Sequence, residues 1–212
     1  MINNSKTEIR KMTLEDIEQA AQISTDSFDE HHIIAYKMGK KYLQEVFFPA
    51  IVKGSVSGAI AAFQDGKMLG YLCYISDFPQ FHRELRNKKF FQNVYYTFVA
   101  LIKFRLSLKD LYNVLIGLKW VNKQAAGIKA TVGPLAVSPE IKGTQTGGLV
   151  AFLLMRTVFE KFRSEGVECI WATVDSRNHS SLRFGEALGF KEKSSIQLWG
   201  IRDIFRIKEL NE

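Results

Sequence analysis

The sequence predicts a mixed α/β fold with a central sheet flanked by helices. Apolar runs of strand length alternate with segments of helical spacing, a glycine-rich turn at 143–148 leads from one such run into a long apolar helix, and Asp65-Gly66 separates two strand-like runs. The predicted order is β-α-α-β-β, an inserted segment, and then β-α-β-α-β-β. We expect a single domain over residues 1–212 with a helical insertion at 78–127, between the third and fourth strands.

Periodicity and capping residues define the N-terminal elements. Thr13, with Asp16 three residues later, forms an acidic variant of the capping box and predicts a helix start. The pair Asp65-Gly66 predicts a tight hairpin, because these residues accept the positive φ angles that such turns need. The predicted elements are a strand at 7–12, helices at 13–27 and 38–52, and strands at 56–63 and 68–75.

The C-terminal half is predicted to alternate strands and helices. Its central β-α-β unit has the clearest pattern, because a continuous apolar run, a glycine turn and an amphipathic segment follow one another directly. The predicted elements are strands at 128–137, 167–174, 190–199 and 201–207, and helices at 147–164 and 178–188.

The segment 78–127 differs in composition from the rest of the chain. It holds nine basic and two acidic residues, a net charge of +7, while the other residues include 20 basic and 20 acidic groups. It also contains ten of the 26 aromatic residues. Apolar spacing in 90–108 and 111–121 predicts two or three helices with Lys and Arg on their outer faces.

Composition places the chain among ordinary globular proteins, with 46% hydrophobic and 24% charged residues. The polar stretch 1–7 lacks the apolar core of a signal peptide, and there is no run of about 18 apolar residues that could span a bilayer. We therefore expect a cytoplasmic protein. Cys73 and Cys169 lie in apolar runs and are predicted to be reduced core residues, and no Cys/His spacing indicates a metal site.

The glycine turn predicts a site for phosphate groups. Glycines allow a close backbone approach, and the first N–H groups of a helix are unpaired and lie at the positive end of its dipole. Lys142 stands directly before the turn. The alternative reading is a flexible turn without a ligand, which an isolated pair of glycines would favour.

Three motifs in order resemble the GNAT family of acyl-coenzyme A dependent N-acetyltransferases. They are Leu135-Ala136-Val137-Ser138-Pro139 on the fourth strand, Gln145-Thr146-Gly147-Gly148-Leu149-Val150 at the long helix, and Asn178 followed by Leu188-Gly189-Phe190. The family loop has Arg or Gln, two residues, Gly, one residue, then Gly or Ala. Gln145 and Gly148 match this pattern, and Val150 departs from it.

The resemblance implies that the chain binds acetyl-coenzyme A as co-substrate, without a metal. A backbone N–H near Ala136 or Val137 would polarise the thioester carbonyl, as an oxyanion hole does. Asn178 matches an asparagine that lies near the coenzyme in the family, and it is also a suitable helix N-cap. The residues implied in coenzyme binding are Leu135, Ala136, Val137, Lys142, Gly143, Gln145, Thr146, Gly147, Gly148, Leu149, Val150 and Asn178.

The acid and base of the reaction are less clearly marked. Many members of the family have a tyrosine at the position of Gly185, where it protonates the leaving thiolate, so that acid is absent here. Some relatives carry a glutamate base at about the position of Thr131, which cannot serve. The remaining candidates for the base are Asp29, Glu30, His31 and His32 in the loop after the first helix, and Asp175 after the fifth strand, although each also suits a solvated loop or cap position.

These features predict an N-acetyltransferase that acts on the primary amine of a small molecule in a ternary complex. The basic, aromatic insertion is expected to favour an anionic, partly apolar acceptor such as an amino sugar derivative. Its other readings are a dimer contact or a peripheral membrane contact through Lys88, Lys89, Lys103 and Arg105, and no motif accompanies its charge that would indicate nucleic acid. The alternative function is an inactive module that binds acyl-coenzyme A and a protein or membrane partner through 78–127.

Overall fold

The computed structural model describes residues 7–28, 37–103 and 105–211, without the side chain of Lys88. The expected mixed α/β architecture is confirmed. The strands are β1 (Glu8–Lys11), β2 (Ser57–Gln64), β3 (Lys67–Ile75), β4 (Ala130–Val137), β5 (Cys169–Asp175), β6 (Lys191–Leu198) and β7 (Ile201–Glu209). The helices are α1 (Ile17–Ser27), α2 (residues 40–53, with a π-helical turn at Leu43–Phe47), α3 (Phe78–Ile102), α4 (Leu108–Gln124), α5 (Gln145–Ser164) and α6 (His179–Ala187).

The described strands form one sheet in the order β1-β2-β3-β4-β5-β7-β6. Within it, only β4 and β5 are parallel neighbours, and every other adjacent pair is antiparallel. The hairpin between β2 and β3 turns at Asp65 and Gly66, whose φ angles are 51° and 76°. The hairpin predicted from this Asp-Gly pair is therefore present.

Helices cover both faces of the sheet and bury two apolar cores. On one face α1 and α2 pack over the strands, with Leu43, Phe48 and Tyr71 fully buried. On the other face α5 buries Leu154 and Phe162 against the sheet. Burial on both faces accounts for the continuous apolar runs of β2 and β3, which do not alternate in polarity.

The first helix begins later than the sequence predicted. The Asp16 carboxylate accepts the Thr13 N–H at 2.7 Å, as the predicted capping box requires, but it also forms two hydrogen bonds with the Arg10 guanidinium at 2.7 and 2.8 Å. Residues 14–16 form a turn, and regular helix starts at Ile17. Asp16 thus ties β1 to the turn that precedes α1.

Two helices fill the segment between β3 and β4, and both begin earlier than predicted. The Asp77 carboxylate accepts the Gln80 N–H at 2.8 Å and starts α3 at Phe78, and Ser107 with Asp110 forms a capping box that starts α4 at Leu108. The helix α3 is kinked at Lys89, where φ is −125° and ψ is 15°. The kink shifts the phase of the apolar pattern, which explains why periodicity predicted a helix start at Phe90.

Candidate active site

The strands β4 and β5 separate shortly after they meet. They are in register over two residue pairs, Ala130 with Ile170 and Thr131 with Trp171. Beyond these pairs β4 continues along β3 to Val137, while β5 continues along β7 to Asp175. A gap therefore opens between the two strands towards their carboxyl ends. The Thr131 hydroxyl donates a hydrogen bond to the Trp171 carbonyl at 2.7 Å and closes the narrow end of this gap.

The sequence of β4 favours this separation. Pro134 has no N–H group to donate to a neighbouring strand, and it follows Gly133 in the part of β4 that has left β5. A Cβ atom on Gly133 would lie 3.3 Å from Cβ of Cys73, so the glycine permits close packing against β3. The pair Gly133-Pro134 thus keeps β4 on β3 while it releases β5.

The backbone of β4 distinguishes Ala136 from Val137, the two residues whose N–H groups were predicted to polarise the thioester carbonyl. The Ser138 N–H donates to the Leu69 carbonyl at 2.7 Å, so Ser138 and, by alternation, Ala136 direct their backbone groups towards β3. Leu135 and Val137 therefore direct theirs into the gap. The side chain of Ala136 is buried in the core under α1. Of the two candidates, Val137 has the N–H that faces the gap.

The end of α1 borders the same opening. The Ser27 hydroxyl donates to the Val137 carbonyl at 2.9 Å, and Nζ of Lys142 donates to the Ser27 carbonyl at 2.9 Å. Lys142, predicted to bind the coenzyme, is therefore partly engaged in holding the end of α1. The candidate bases Asp29, Glu30, His31 and His32 come directly after this helix and lie outside the described residues.

The glycine turn leads into the N-terminus of α5 beside the gap. Gly143 has a φ of 78°, which side chains disfavour, and Thr144 caps the helix by accepting the Gly147 N–H at 3.2 Å. Within the described part of the chain, the N–H groups of Gln145 and Thr146 have no protein acceptor. Two donors at the positive end of a 20-residue helix thus remain free for an anion.

The adjacent glycines of this turn have different surroundings. A Cβ atom on Gly147 would collide with the backbone carbonyl oxygen of Ile141, whereas a Cβ atom on Gly148 would meet no atom within 4 Å. Gln145, Thr146, Gly148 and Leu149 are exposed. Val150, the departure from the family loop, is 3% exposed and packs in the core under α5, so its side chain is directed away from the turn.

Two carboxylates stand side by side on the far side of the gap. Asp175 at the end of β5 is the cross-strand partner of Asp203 on β7, so both side chains lie on one face of the sheet. The guanidinium of Arg177 pairs with Asp175 at 2.9 Å. Burial and the neighbouring charge of Asp175 raise the pKa of Asp203 to about 6. Asp203 was not among the residues predicted from the sequence.

Comparison with known proteins identifies the family and the fold. A model of the acetyltransferase (GNAT) family matches residues 17–190. The chain belongs to the GNAT acetyltransferase family. GNAT enzymes use acetyl-coenzyme A, so membership of the family agrees with a glycine turn that has free N–H donors and lies next to a gap between two parallel strands. No match was found among curated proteins.

Solved GNAT structures share this fold along nearly their whole length. PaiA N-acetyltransferase from Thermoplasma acidophilum, in complex with coenzyme A, is 16% identical with a TM-score of 0.60, covering 96% of this chain and 99% of that one. The ribosomal-protein-S18-alanine N-acetyltransferase from Escherichia coli is 14% identical, with a TM-score of 0.58 and coverage of 97% and 94%. An N-acetyltransferase from Staphylococcus aureus Mu50 is 13% identical, with a TM-score of 0.59 and coverage of 97% and 99%. At these identities the likeness concerns the fold alone.

The GNAT motif after β5 combines a helix cap with an unusual glycine. The Asn178 side-chain oxygen accepts the Ser181 N–H at 3.1 Å, so this residue is the N-cap of α6, which is one of its two predicted roles. Gly185 faces the buried guanidinium of Arg206, which donates to the carbonyls of Leu182 and Phe190 at 2.8 Å each. The position that carries a tyrosine in many GNAT members thus makes room for an arginine of β7.

Possible metal ligands, the buried cysteine and helix hydropathy can each be assessed in the described residues. They include no group of three or more His, Cys, Asp or Glu side chains arranged to hold a metal ion. Cys73 is free and buried, and burial raises the pKa of its thiol. No helix in the described ranges is long and apolar enough to cross a membrane.

Proposed function

We propose that this GNAT protein transfers an acetyl group from acetyl-coenzyme A to a primary amine of a small molecule, in a ternary complex. The observation that carries the proposal is the parting of β4 and β5 beside the free N–H groups that start α5. A phosphate-bearing ligand with a long, narrow arm fits this pair of features. Its phosphates have donors at the helix, and its arm has the edges of β4 and β5 that no longer pair with each other.

The coenzyme would be held mainly by backbone groups. The pyrophosphate accepts the N–H groups of Gln145 and Thr146, with Gly143, Gly148 and Leu149 forming the rest of the surface that it meets. The pantetheine arm enters the gap, where Leu135 and Val137 direct their backbone groups. Because these donors belong to the backbone, a changed side chain in this region, such as Val150, does not remove the binding groups.

The chemistry is a direct attack of the amine on the thioester. The amine nitrogen forms a bond to the carbonyl carbon, the Val137 N–H stabilises the negative charge that grows on the carbonyl oxygen, and the carbon–sulfur bond breaks. Gly185 supplies no acid, but a thiol has a pKa of about 8.5, so the thiolate is a tolerable leaving group and takes its proton from water.

A base must remove a proton from the amine, because an alkyl ammonium group has a pKa of about 10. We assign this role to Asp203, acting directly or through a water molecule. Its pKa of about 6 leaves it ionised at neutral pH and strong enough as a base to be useful. Asp175 is already paired with Arg177 and is expected to raise the basicity of Asp203, and Asp29, His31 and His32 stay as further candidates from the sequence.

The test is release of free thiol from acetyl-coenzyme A with a panel of amines and amino sugars. We expect release that requires the added amine. Calorimetry provides an independent measure of coenzyme binding, for which Gly148→Phe should weaken affinity by at least about tenfold, because phosphate would collide with the ring. Arg156→Phe, at an exposed position two turns further along α5, is the matched control and should bind as the wild type does. Unchanged affinity in Gly148→Phe would contradict the loop assignment.

A second candidate function is a GNAT-fold module that binds acyl-coenzyme A and acts through a partner. The absence of a tyrosine at Gly185 and the exposed apolar residues of α3 and α4 favour it. Coenzyme binding without turnover of any amine in the panel would support this reading over the enzyme. Absence of coenzyme binding would contradict both.

A further inference from the structure

The helices α3 and α4 expose an apolar stripe that the proposed acetyl transfer does not use. On α3 the exposed residues recur at spacings of three and four, which places them on one face of the helix. Phe91, which is 84% exposed, is the most exposed of them. The stripe comprises Phe91, Val94, Tyr95, Phe98 and Ile102 on α3, and Leu108, Tyr112 and Leu115 on α4. Water-soluble surfaces seldom present so many large apolar side chains together, and such a patch usually marks a contact site.

The two halves of the stripe adjoin at the linker between the helices. Ile102 is the last residue of α3 and Leu108, which is 78% exposed, is the first of α4. Three exposed basic residues, Lys103, Arg105 and Lys109, occupy the same short stretch. The apolar stripe therefore has cationic groups at its centre.

These cations have no acidic partners in the part of the chain that the structure describes. The acidic residues of the insertion are engaged elsewhere, since Asp110 pairs with Lys37 at 3.0 Å and Glu84 binds Ser55. Lys119, one turn beyond Leu115 on the same face of α4, extends the charge. The surface thus combines uncompensated positive charge with apolar side chains.

Charge decides between the possible occupants. A symmetric contact with a second copy would set one segment of net charge +7 against another, which opposes association. Nucleic acid would neutralise the cations, but it offers no apolar partner for Val94, Ile102, Leu108 and Leu115. An anionic lipid bilayer provides both, with phosphates and carboxylates at its surface and acyl chains directly beneath.

We propose that α3 and α4 dock on an anionic membrane surface. The aromatic and aliphatic side chains of the stripe enter the boundary between headgroups and acyl chains, and Lys103, Arg105 and Lys109 bind the headgroups. The helices lie along the surface, with the apolar stripe facing the bilayer. The protein would then meet its acceptor at the face of a bilayer.

Vesicle sedimentation of the full chain tests this proposal without coenzyme or amine, so its outcome is independent of acetyl transfer. We expect binding to vesicles of phosphatidylcholine mixed with phosphatidylserine, and little binding to phosphatidylcholine alone. Because each basic residue near an anionic surface strengthens binding about fivefold, Lys103→Glu/Lys109→Glu should weaken it by at least about twentyfold. Phe91→Ser/Phe98→Ser should also weaken it, and neither change is expected to disturb folding, since all four side chains are exposed.

Matched controls show whether vesicle binding depends on this particular surface or only on the net charge and mean hydropathy of the whole protein. Lys11→Glu/Lys53→Glu changes the net charge by the same amount as Lys103→Glu/Lys109→Glu, but at exposed positions outside α3 and α4. Leu14→Ser removes an exposed apolar side chain that also lies outside these two helices. Both controls should keep most of the binding. No binding to the mixed vesicles, or equal loss in the controls, would overturn the proposal. A dimer in sedimentation velocity that Phe91→Ser/Phe98→Ser converts to monomer, without vesicle binding, would overturn it in favour of a second copy.

Discussion

A Cβ atom on Gly185 would lie 3.1 Å from Nη1 of Arg206, so any side chain at position 185 competes with this guanidinium for space. Arg206 is 4% exposed, and it donates from Nη1 to the Leu182 carbonyl and from Nη2 to the Phe190 carbonyl. It therefore joins β7 to the middle of α6 and to Phe190, the residue that precedes β6. The position where many GNAT members have a tyrosine therefore holds glycine next to the guanidinium of Arg206 on the last strand.

Replacing Gly185 with tyrosine is expected to destabilise the protein. The larger side chain must displace Arg206 or shift α6, and overpacking of this kind costs about 1–3 kcal/mol in the free energy of unfolding. Urea denaturation measures the difference. Gly185→Ala is the control, because a single methyl group requires only a small shift of Nη1 and alanine favours the helix by about 0.5–1 kcal/mol. A Gly185→Tyr protein as stable as the control would show that Arg206 does not need this space.

The adjacent glycines of the turn should respond differently to alanine. Gly147→Ala places a methyl group against the Ile141 carbonyl, which is backbone and cannot yield easily, so we expect a loss of about 1–3 kcal/mol. Gly148→Ala meets no atom and should leave the free energy of unfolding within about 1 kcal/mol of the wild type. Denaturation of both variants under one condition checks the contrast. Equal effects would contradict the geometry of the turn.

Asp203→Asn should make the protein more stable and less active. The pKa of Asp203 is raised to about 6 first by burial and then by Asp175, so the ionised carboxylate destabilises the folded protein. This destabilisation begins above the unfolded pKa of about 3.9 and is complete above about pH 6. Because the side chain is partly exposed and solvent screens its charge, we expect a cost of about 1–2 kcal/mol in the free energy of unfolding at neutral pH. Denaturation at pH 5 and pH 8 should show the variant's advantage growing with pH.

The same variant tests the assignment of the base. In the wild type kcat/KM should rise with pH through an apparent pKa near 6, because the carboxylate must be ionised to accept a proton. In Asp203→Asn this rise with pH should be absent, and kcat/KM should be about 100-fold lower than in the wild type. Asp26→Asn, on the exposed surface of α1, is the control for a generic loss of charge. A retained rise with pH and near-normal activity would exclude Asp203 as base.

The pair between Arg10 and Asp16 should give the protein an acid-dependent stability. Hydrogen bonding from Arg10 is the main cause that lowers the pKa of Asp16 to about 2. A lowered pKa contributes stability above the unfolded value of about 3.9, and this contribution disappears as the pH falls through about 2. Asp16→Asn should therefore cost about 1–2 kcal/mol at pH 7 and little at pH 2, as measured by urea denaturation. A difference that does not depend on pH would contradict this account.

Features that depend on neighbouring residues could be predicted from the sequence. The Asp65-Gly66 hairpin, the glycine turn before α5 and the Asn178 cap each follow from a few consecutive residues with a required backbone angle or donor. The order of strands and helices followed from periodicity in the same way. These features can be predicted because they depend on neighbouring residues and do not require particular tertiary contacts.

Contacts between distant segments could not be predicted in this way. Asp203 became a candidate only when β7 placed it beside Asp175, 28 positions earlier in the chain. Arg206 reads as an ordinary polar residue of a strand until its contact with Gly185 is known. The Arg10 to Asp16 pair likewise depends on how β1 meets α1. The pairing of strands determines these relationships, and local pattern carries no information about it.

The hydroxyl of Thr131, bound to the Trp171 carbonyl, marks where β4 and β5 stop being neighbours. The opening is therefore a wedge with a closed end inside the sheet. A ligand arm that enters from the wide end can advance only until the two strands converge on it. The separation between this closed end and the first turn of α5 consequently limits the length of arm that the protein accepts.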